Sequence, residues 1–288
     1  MRAYRNARDL PVSRRIKAGA GSLLGALQPK LAEEVMERPF SREWGHLARL
    51  IRNAHQRDAV ERRDHETLHR FLCDYWKSPI SAEFFEGDFK RFEDIFLKYH
   101  LGLVDARKEA ISKFGNGEVR LVELGSGDGR VLQYLRERLS GVDAFVGIDL
   151  NENQILECRE KYRDEPKLSF ENHDVSEWLS EHPARQTVLF TNGGVLEYFT
   201  RAQLLELFSL LQANGPCVVA ITETLAVDHD LENDLETFPY GHEYAFSHNY
   251  AAILREAGFE PGFRNDRFTK EGEEHHPSRW YQLLAISE

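Results

Sequence analysis

Cysteine is scarce in this chain. There are three, Cys73, Cys158 and Cys217, scattered and odd in number, with no Cys-x-x-Cys pair. That excludes a disulfide framework and a thiolate metal site, and predicts free thiols in a reducing compartment, the cytoplasm. Long apolar runs are also absent: none approaches the roughly 20 residues that span a bilayer, so no membrane partner is expected. Positive charge is in deficit, with 37 Lys and Arg against 48 Asp and Glu and a net charge of -11. An acidic surface suits nucleic acid poorly, because that binding rests on neutralising phosphates. A small-molecule substrate is therefore favoured, and a homodimer stays open. There is no internal repeat and no low-complexity tract. Two runs, Asp228-His229-Asp230 and Glu273-Glu274-His275-His276, carry metal-ligating residue types. Adjacent residues rarely converge on one ion and neither run has i, i+4 spacing, so no metal is expected.

The 288 residues, 41% hydrophobic, suffice for one large domain or a domain with an appendage. Residues 1–40 hold Arg2, Arg5, Arg8, Arg14, Arg15 and Lys17 against Asp9. They read as a basic tail with a weak helix over 22–37, ended by Pro39; an Arg-rich organellar presequence is the competing reading. Residues 41–117 read as an all-helical cap. Ser41 precedes a stripe of Trp44, Leu47, Leu50 and Ile51. A second stripe holds Leu68, Phe71, Leu72, Tyr75 and Trp76, and a third runs over 81–114.

From residue 118 the texture alternates. Strands are expected at 118–124, 144–150, 167–171, 187–191 and 217–222. Helices are expected at 130–139, 152–162, 175–180 and 201–212. Such alternation implies a parallel sheet with right-handed crossovers. Residues 225–247 break the rhythm and read as an insertion. A helix over 247–257, capped by Ser247, and two closing strands at 259–268 and 280–286 follow.

Everything is arranged around Val122-Glu123-Leu124-Gly125-Ser126-Gly127-Asp128-Gly129-Arg130. This is a strand, a glycine turn and a helix start. Glycines let backbone approach a ligand closely, and the free N–H groups at a helix start favour polar ligand groups. A nucleotide-like ligand is expected. The second strand ends at Asp149, 20 residues past Gly129, where a carboxylate can accept hydrogen bonds from a ribose diol. Nicotinamide and flavin domains share that logic.

The acidic-x-Gly-x-Gly-x-Gly pattern led by Glu123 resembles motif I of the class I S-adenosylmethionine (SAM)-dependent methyltransferases. The resemblance covers 118–288. It rests further on Asp149, on Asn172-His173-Asp174-Val175 after the third strand, and on Thr191-Asn192-Gly193-Gly194-Val195-Leu196-Glu197-Tyr198 after the fourth. It implies an α/β fold: a seven-stranded, mostly parallel, Rossmann-like sheet with an all-helical N-terminal extension. The implied cofactor is SAM. The implied contacts are Glu123 near the ammonium, Gly125 and Gly127 against the methionyl part, and Asp149 on the ribose. Leu150 or Asn151 would lie on the adenine ring, Asp174 and Val175 at its edge, and Asn192 near the ammonium. Asp128 and Asp174 read equally as helix caps.

Tyr198, Glu243 and His248 are the candidates for catalysis. The aromatic-rich insertion over 225–247 is expected to wall the substrate, and Tyr75, Trp76, Phe85 and Tyr99 to cover it. The run after strand four departs from the Asn-Pro-Pro-Tyr of many amine methyltransferases, which counts against base N-methylation. The expected activity is methyl transfer to a small metabolite. The alternatives are an enzyme on the same fold that breaks another sulfonium bond, by azetidine-2-carboxylate-type cyclisation or aminopropyl transfer, and a non-catalytic binding subunit.

Overall fold

Strand β4 (Thr187–Thr191) is buried along its whole length, as an apolar strand must be when helices cover both faces of a parallel sheet. In the computed structural model, which describes residues 1–37, 44–78, 81, 92–112, 114, 117–183, 186–268 and 279–287, β4 lies at the centre of a seven-stranded sheet. The other strands are β1 (Arg120–Leu124), β2 (Ala144–Asp149), β3 (Leu168–Asn172), β5 (Cys217–Leu225), β8 (Glu260–Phe268) and β9 (Arg279–Ser287). Their order is β3-β2-β1-β4-β5-β9-β8. Strands β1 to β5 run parallel, and β9 pairs antiparallel with β5 and β8.

The strand order reverses between β1 and β4, whose last residues, Leu124 and Thr191, are register partners. The loops leaving these two ends diverge to opposite sides and open a crevice. Alternation along the strands supplies two cores. Val122, Leu124, Leu189 and Val219 pack under α8 (Val175–Glu181), α9 (Arg201–Ala213) and α10 (Tyr250–Glu256). Leu121, Phe145, Val188 and Phe190 pack under α5 (Leu101–Ser112), α6 (Arg130–Arg138) and α7 (Glu152–Lys161).

The N-terminal region is helical, as its stripes predict, with different boundaries. The helix expected over 22–37 is two helices, α1 (Val12–Leu27) and α2 (Pro29–Glu37), divided where Pro29 opens the second. Helix α1 forms despite its glycines because tertiary packing outweighs propensity. A Cβ on Gly21 would lie 1.8 Å from the Leu50 carbonyl oxygen of α3 (His46–Arg62), so only glycine permits this approach. Helix α4 (His65–Lys77) follows, capped by Asp64. A π-helical segment, Phe92–His100, runs directly into α5. Among the described residues no helix is long and apolar enough to cross a membrane.

Residues 1–10, expected as part of a basic tail, are docked. Ala3 bridges Tyr240 of the two-stranded pair β6 (Phe238–Tyr240) and β7 (Ala245–Ser247). The Tyr4 N–H donates to Pro239 O at 2.6 Å and the Val227 N–H to Met1 O at 2.8 Å. Arg5 pairs with Asp234 at 2.6 Å. The expected Ser247 cap is also corrected. Asn249 caps α10 by accepting from the Ala252 N–H, while Ser247 Oγ accepts from the Ala226 N–H.

Candidate functional site

The glycine turn is pinned from every side. The Gly125 N–H donates to Ile148 O at 2.8 Å and the Gly129 N–H to Ser126 O at 3.0 Å. The Gly127 N–H donates to Asp149 Oδ2 at 3.1 Å, and Cys158 Sγ donates to Gly127 O at 3.2 Å. Gly125 and Gly127 have φ of 65° and 49°, in the left-handed region that glycine enters without strain. Asp128 is committed locally: its carboxylate accepts from the Arg130 N–H at 3.1 Å and from Arg130 Nε at 2.5 Å. It closes an Asx turn just before the helix, whose N-cap is Gly129; the expected cap role is corrected accordingly.

Above the turn lies a cavity of about 500 Å³, within the usual range for small-molecule sites. Glu123, Gly125, Gly127, Asp149, Leu150, Asp174, Val175 and Asn192 all line it, and Tyr198 does too. Asp149 Oδ1 also accepts from the Asn151 N–H at 2.9 Å. Burial pushes the Asp149 carboxyl above its ordinary value, opposed by those backbone donors. Asp174 caps α8, accepting from the Ser176 and Glu177 N–H groups at 2.8 and 3.3 Å, and still faces the cavity. Asn151 caps α7 and donates to Ser81 Oγ at 2.8 Å; it is not among the lining residues.

Glu123 is 2% exposed, and its Oε2 has no hydrogen-bond partner. Burial pushes its carboxyl well up, and Arg107 pulls it down. Arg107, wholly buried on α5, holds its guanidinium 3.9 Å over the Phe190 ring, and Phe190 is the register neighbour of Glu123. The helical extension thus supplies a positive charge beneath the cavity floor.

The loop after β4 is held by an acid that sequence patterns did not flag. Glu223, buried on β5, accepts from Thr191 Oγ1 at 2.5 Å and from the Val195 and Glu197 N–H groups at 2.9 and 3.3 Å. Glu197 turns inward to Thr224 Oγ1 at 2.6 Å and to the Tyr240 hydroxyl. Burial pushes Glu197 up to about 8 and Glu223 up to about 7. Both folded values exceed those of the unfolded chain, so the fold binds extra protons. This stability is fully present below about pH 4.5 and is lost as pH rises through about 7 and 8. Wild-type melting temperature should therefore fall between pH 6 and 9. Glu197→Gln should flatten that slope, by on the order of a few kcal/mol at pH 9. A slope unchanged in the variant would contradict the assignment.

Two catalytic candidates lie elsewhere. His248 is fully buried, with Nδ1 on Thr237 Oγ1 at 2.9 Å and Nε2 on Phe199 O at 3.0 Å. Both ring nitrogens are engaged away from the cavity, and burial lowers its basicity to about 3. Glu243 is behind the wall, where its Oε2 accepts from the Tyr198 hydroxyl at 3.2 Å. The insertion over 225–247 contributes none of the lining residues. Its aromatics Phe238, Tyr240, Tyr244 and Phe246 pack with Ala3, Tyr4 and Leu10 instead.

The far wall comes from the helical extension and the last strand. It comprises His69, Cys73 and Trp76 of α4, Phe92, Phe96 and His100 of the π-helical segment, and Trp280 of β9. Of the four expected covering residues, Trp76 lines the cavity. Tyr75 packs edge-on to Trp76 at 5.3 Å, and Tyr99 lies outside with Arg267 stacked on it at 3.5 Å. Phe85 is outside the described residues, as are residues 273–276. His69 Nδ1 donates to Tyr198 O at 2.7 Å, tying α4 to the turn after β4. His100 Nδ1 meets Asn192 Oδ1 at 2.5 Å. Burial keeps this imidazole neutral, lowering it to about 4. The Cys73 thiol is pushed up to about 11 by burial, so it is no thiolate. No motif announces these wall residues; single His and Trp residues in helical stripes read as core.

Comparison with known proteins agrees with this geometry. Residues 121–215 match the family model of a methyltransferase domain. Among curated proteins no sequence is significantly similar to this chain. Among solved structures, a SAM-dependent methyltransferase from Leishmania major superposes with a TM-score of 0.51 at 14% identity, covering 75% of this chain and 82% of that one. The magnesium protoporphyrin IX methyltransferase of Synechocystis, solved with bound SAM, gives 0.47 at 15% identity over 77% and 97% of the two chains. The first of these supports the Rossmann-like fold.

Proposed function

Since residues 121–215 match the family model of a methyltransferase domain, we propose that this protein methylates a small molecule with SAM, in the cytoplasm. The observation that carries the reading is one continuous cavity. The turn, Asp149, Asp174 and Asn192 form one end and an aromatic wall forms the other.

The residues present fit SAM. The lining includes six carboxylates, Glu123, Asp128, Asp149, Asp174, Glu177 and Glu206, against one guanidinium, Arg130, which is paired with Asp128. That balance suits a ligand with cationic ammonium and sulfonium groups and no phosphate. The unpartnered Glu123 Oε2 suits the ammonium. Asp149 retains lone pairs for a ribose diol, and Asp174 with the Val175 N–H suits the adenine edge. The backbone of Gly125 and Gly127 leaves room for the methionyl part, and Leu150, which lines the cavity, would pack on the adenine ring.

When bound, SAM supplies an electrophilic methyl group on sulfur. The protein's part is chiefly positioning and exclusion of water, which turn an encounter into a near-attack geometry. Trp76, Phe96 and Trp280 present apolar surface to the acceptor. Tyr198, its hydroxyl held by Glu243, lines the cavity, where a π face would favour positive charge.

The test is product analysis by mass after incubating the full chain with SAM and a panel of apolar acceptors. A methylated acceptor with S-adenosylhomocysteine is expected. Methylthioadenosine in its place would contradict methyl transfer.

A further inference from the structure

His100 joins the two ends of the cavity. It closes the π-helical segment and lies against Asn192, at the carboxyl end of β4, where the cofactor end meets the aromatic wall. Its Nδ1 is 2.5 Å from Asn192 Oδ1. With that oxygen as acceptor, Nδ1 carries the proton and Nε2 keeps the lone pair. Nε2 has no hydrogen-bond partner among the described residues and is not among the sealed, unsatisfied polar atoms. The ring is fixed by Phe96, edge-on at 5.9 Å, and by Trp280 at 5.8 Å.

We propose that His100 is the general base of the transfer, and that the acceptor is an aromatic small molecule reacting through a hydroxyl group. This rests on the methyltransferase reading above. An arylamine attacks through its own lone pair and a carboxylate is already ionised, so neither needs a base before attack. A weakly acidic hydroxyl does. In the step, the O–H bond breaks and its proton goes to His100 Nε2. The hydroxyl oxygen forms the bond to the methyl carbon, and the sulfur keeps the electron pair of the broken S–C bond. The sulfonium charge disappears as the imidazolium charge forms, so charge balances. The proton then leaves to solvent.

The groups facing this imidazole are compatible with the role. Burial opposes the protonated form most; Asn192 at the end of β4 favours it, and Arg107 of α5 and Arg267 of β8 oppose it electrostatically. Glu123 of β1 lines the same cavity. Phe96, Trp76 and Trp280 add no charge. The imidazole is thus neutral at physiological pH, and its Nε2 lone pair is not protonated. Aromatic walls suit a flat ring, and stacking or edge contacts there add to simple burial.

The test has a readout independent of turnover. Nitrogen-15 spectra of the histidine rings at pH 7 should contain a signal from a neutral imidazole protonated at Nδ1 that is absent from His100→Asn. A ring protonated at Nε2, or charged, overturns the proposal. In parallel, substituted phenols graded in acidity are offered with SAM. Wild type should give aryl methyl ethers and S-adenosylhomocysteine. His100→Asn, which keeps a donor for Asn192, should slow single turnover roughly 10²–10⁴-fold, and less for more acidic phenols. Its SAM affinity should be unchanged. His100→Gln serves as the second variant should the first fail to fold. Equal rates in variant and wild type, or methylation of anilines but no phenol, overturn the base and the acceptor class while methyl transfer stands. Wild type that methylates nothing and does not bind SAM overturns the underlying reading instead.

Discussion

Asp149→Ala should lower SAM affinity roughly 100-fold or more, because two charge-assisted hydrogen bonds to a diol are worth about 1.5–3 kcal/mol each. The loss has a second source. Asp149 accepts from the Gly127 and Asn151 N–H groups, so its removal also frees the turn on which the ligand would lie. Asp149→Asn separates the two effects. It keeps an acceptor for the turn and loses the charge, so its affinity should fall between wild type and alanine. Calorimetric titration of the full chain reads the affinity, and a melting curve confirms that each variant is folded. Undiminished binding by Asp149→Ala would remove the ribose assignment.

Gly125→Ala should damage both stability and the site. Gly125 has a φ of +65°, and a Cβ there would lie 2.6 Å from Val195 Cγ2. An alanine in the left-handed region costs about 1–2 kcal/mol, and overpacking against Val195 costs about 1–3 kcal/mol more. The melting temperature should fall by several degrees. Val195 belongs to the loop fixed by Glu223, so relief of the clash displaces the loop that carries Asn192 and Tyr198. Adding Val195→Ala should recover the steric part and leave the backbone part. The double-mutant cycle should therefore show a coupling of about 1 kcal/mol or more. Additive effects would mean that the two residues do not meet.

Much of the cofactor end is legible in the chain because its signals are local. Glu123 to Arg130 is one continuous strand, turn and helix start, Asp149 ends the next strand, and Asp174 caps a helix directly after the third. The sheet order follows from alternation, because parallel strands need crossovers and crossovers have one hand. The acceptor end is not legible. Trp76, His100 and Trp280 are far apart in sequence and meet only through tertiary packing. His248 reads as a candidate because it is polar and beside aromatics, but it is a buried brace between Thr237 and Phe199. The insertion over 225–247 reads as a substrate wall because its aromatics need cover. That cover is residues 1–10, which an arginine-rich composition presents as a tail. The docking of Ala3 and Tyr4 rests on backbone hydrogen bonds, which leave no mark in residue type.

The central claim is that the cavity between β1 and β4 is a SAM site. It is tested most directly by calorimetric titration of the full chain with SAM, wild type beside Asp149→Ala. Saturable one-to-one binding by wild type, weakened roughly 100-fold or more in the variant, is the predicted result. A folded wild type that takes up no SAM would contradict the account.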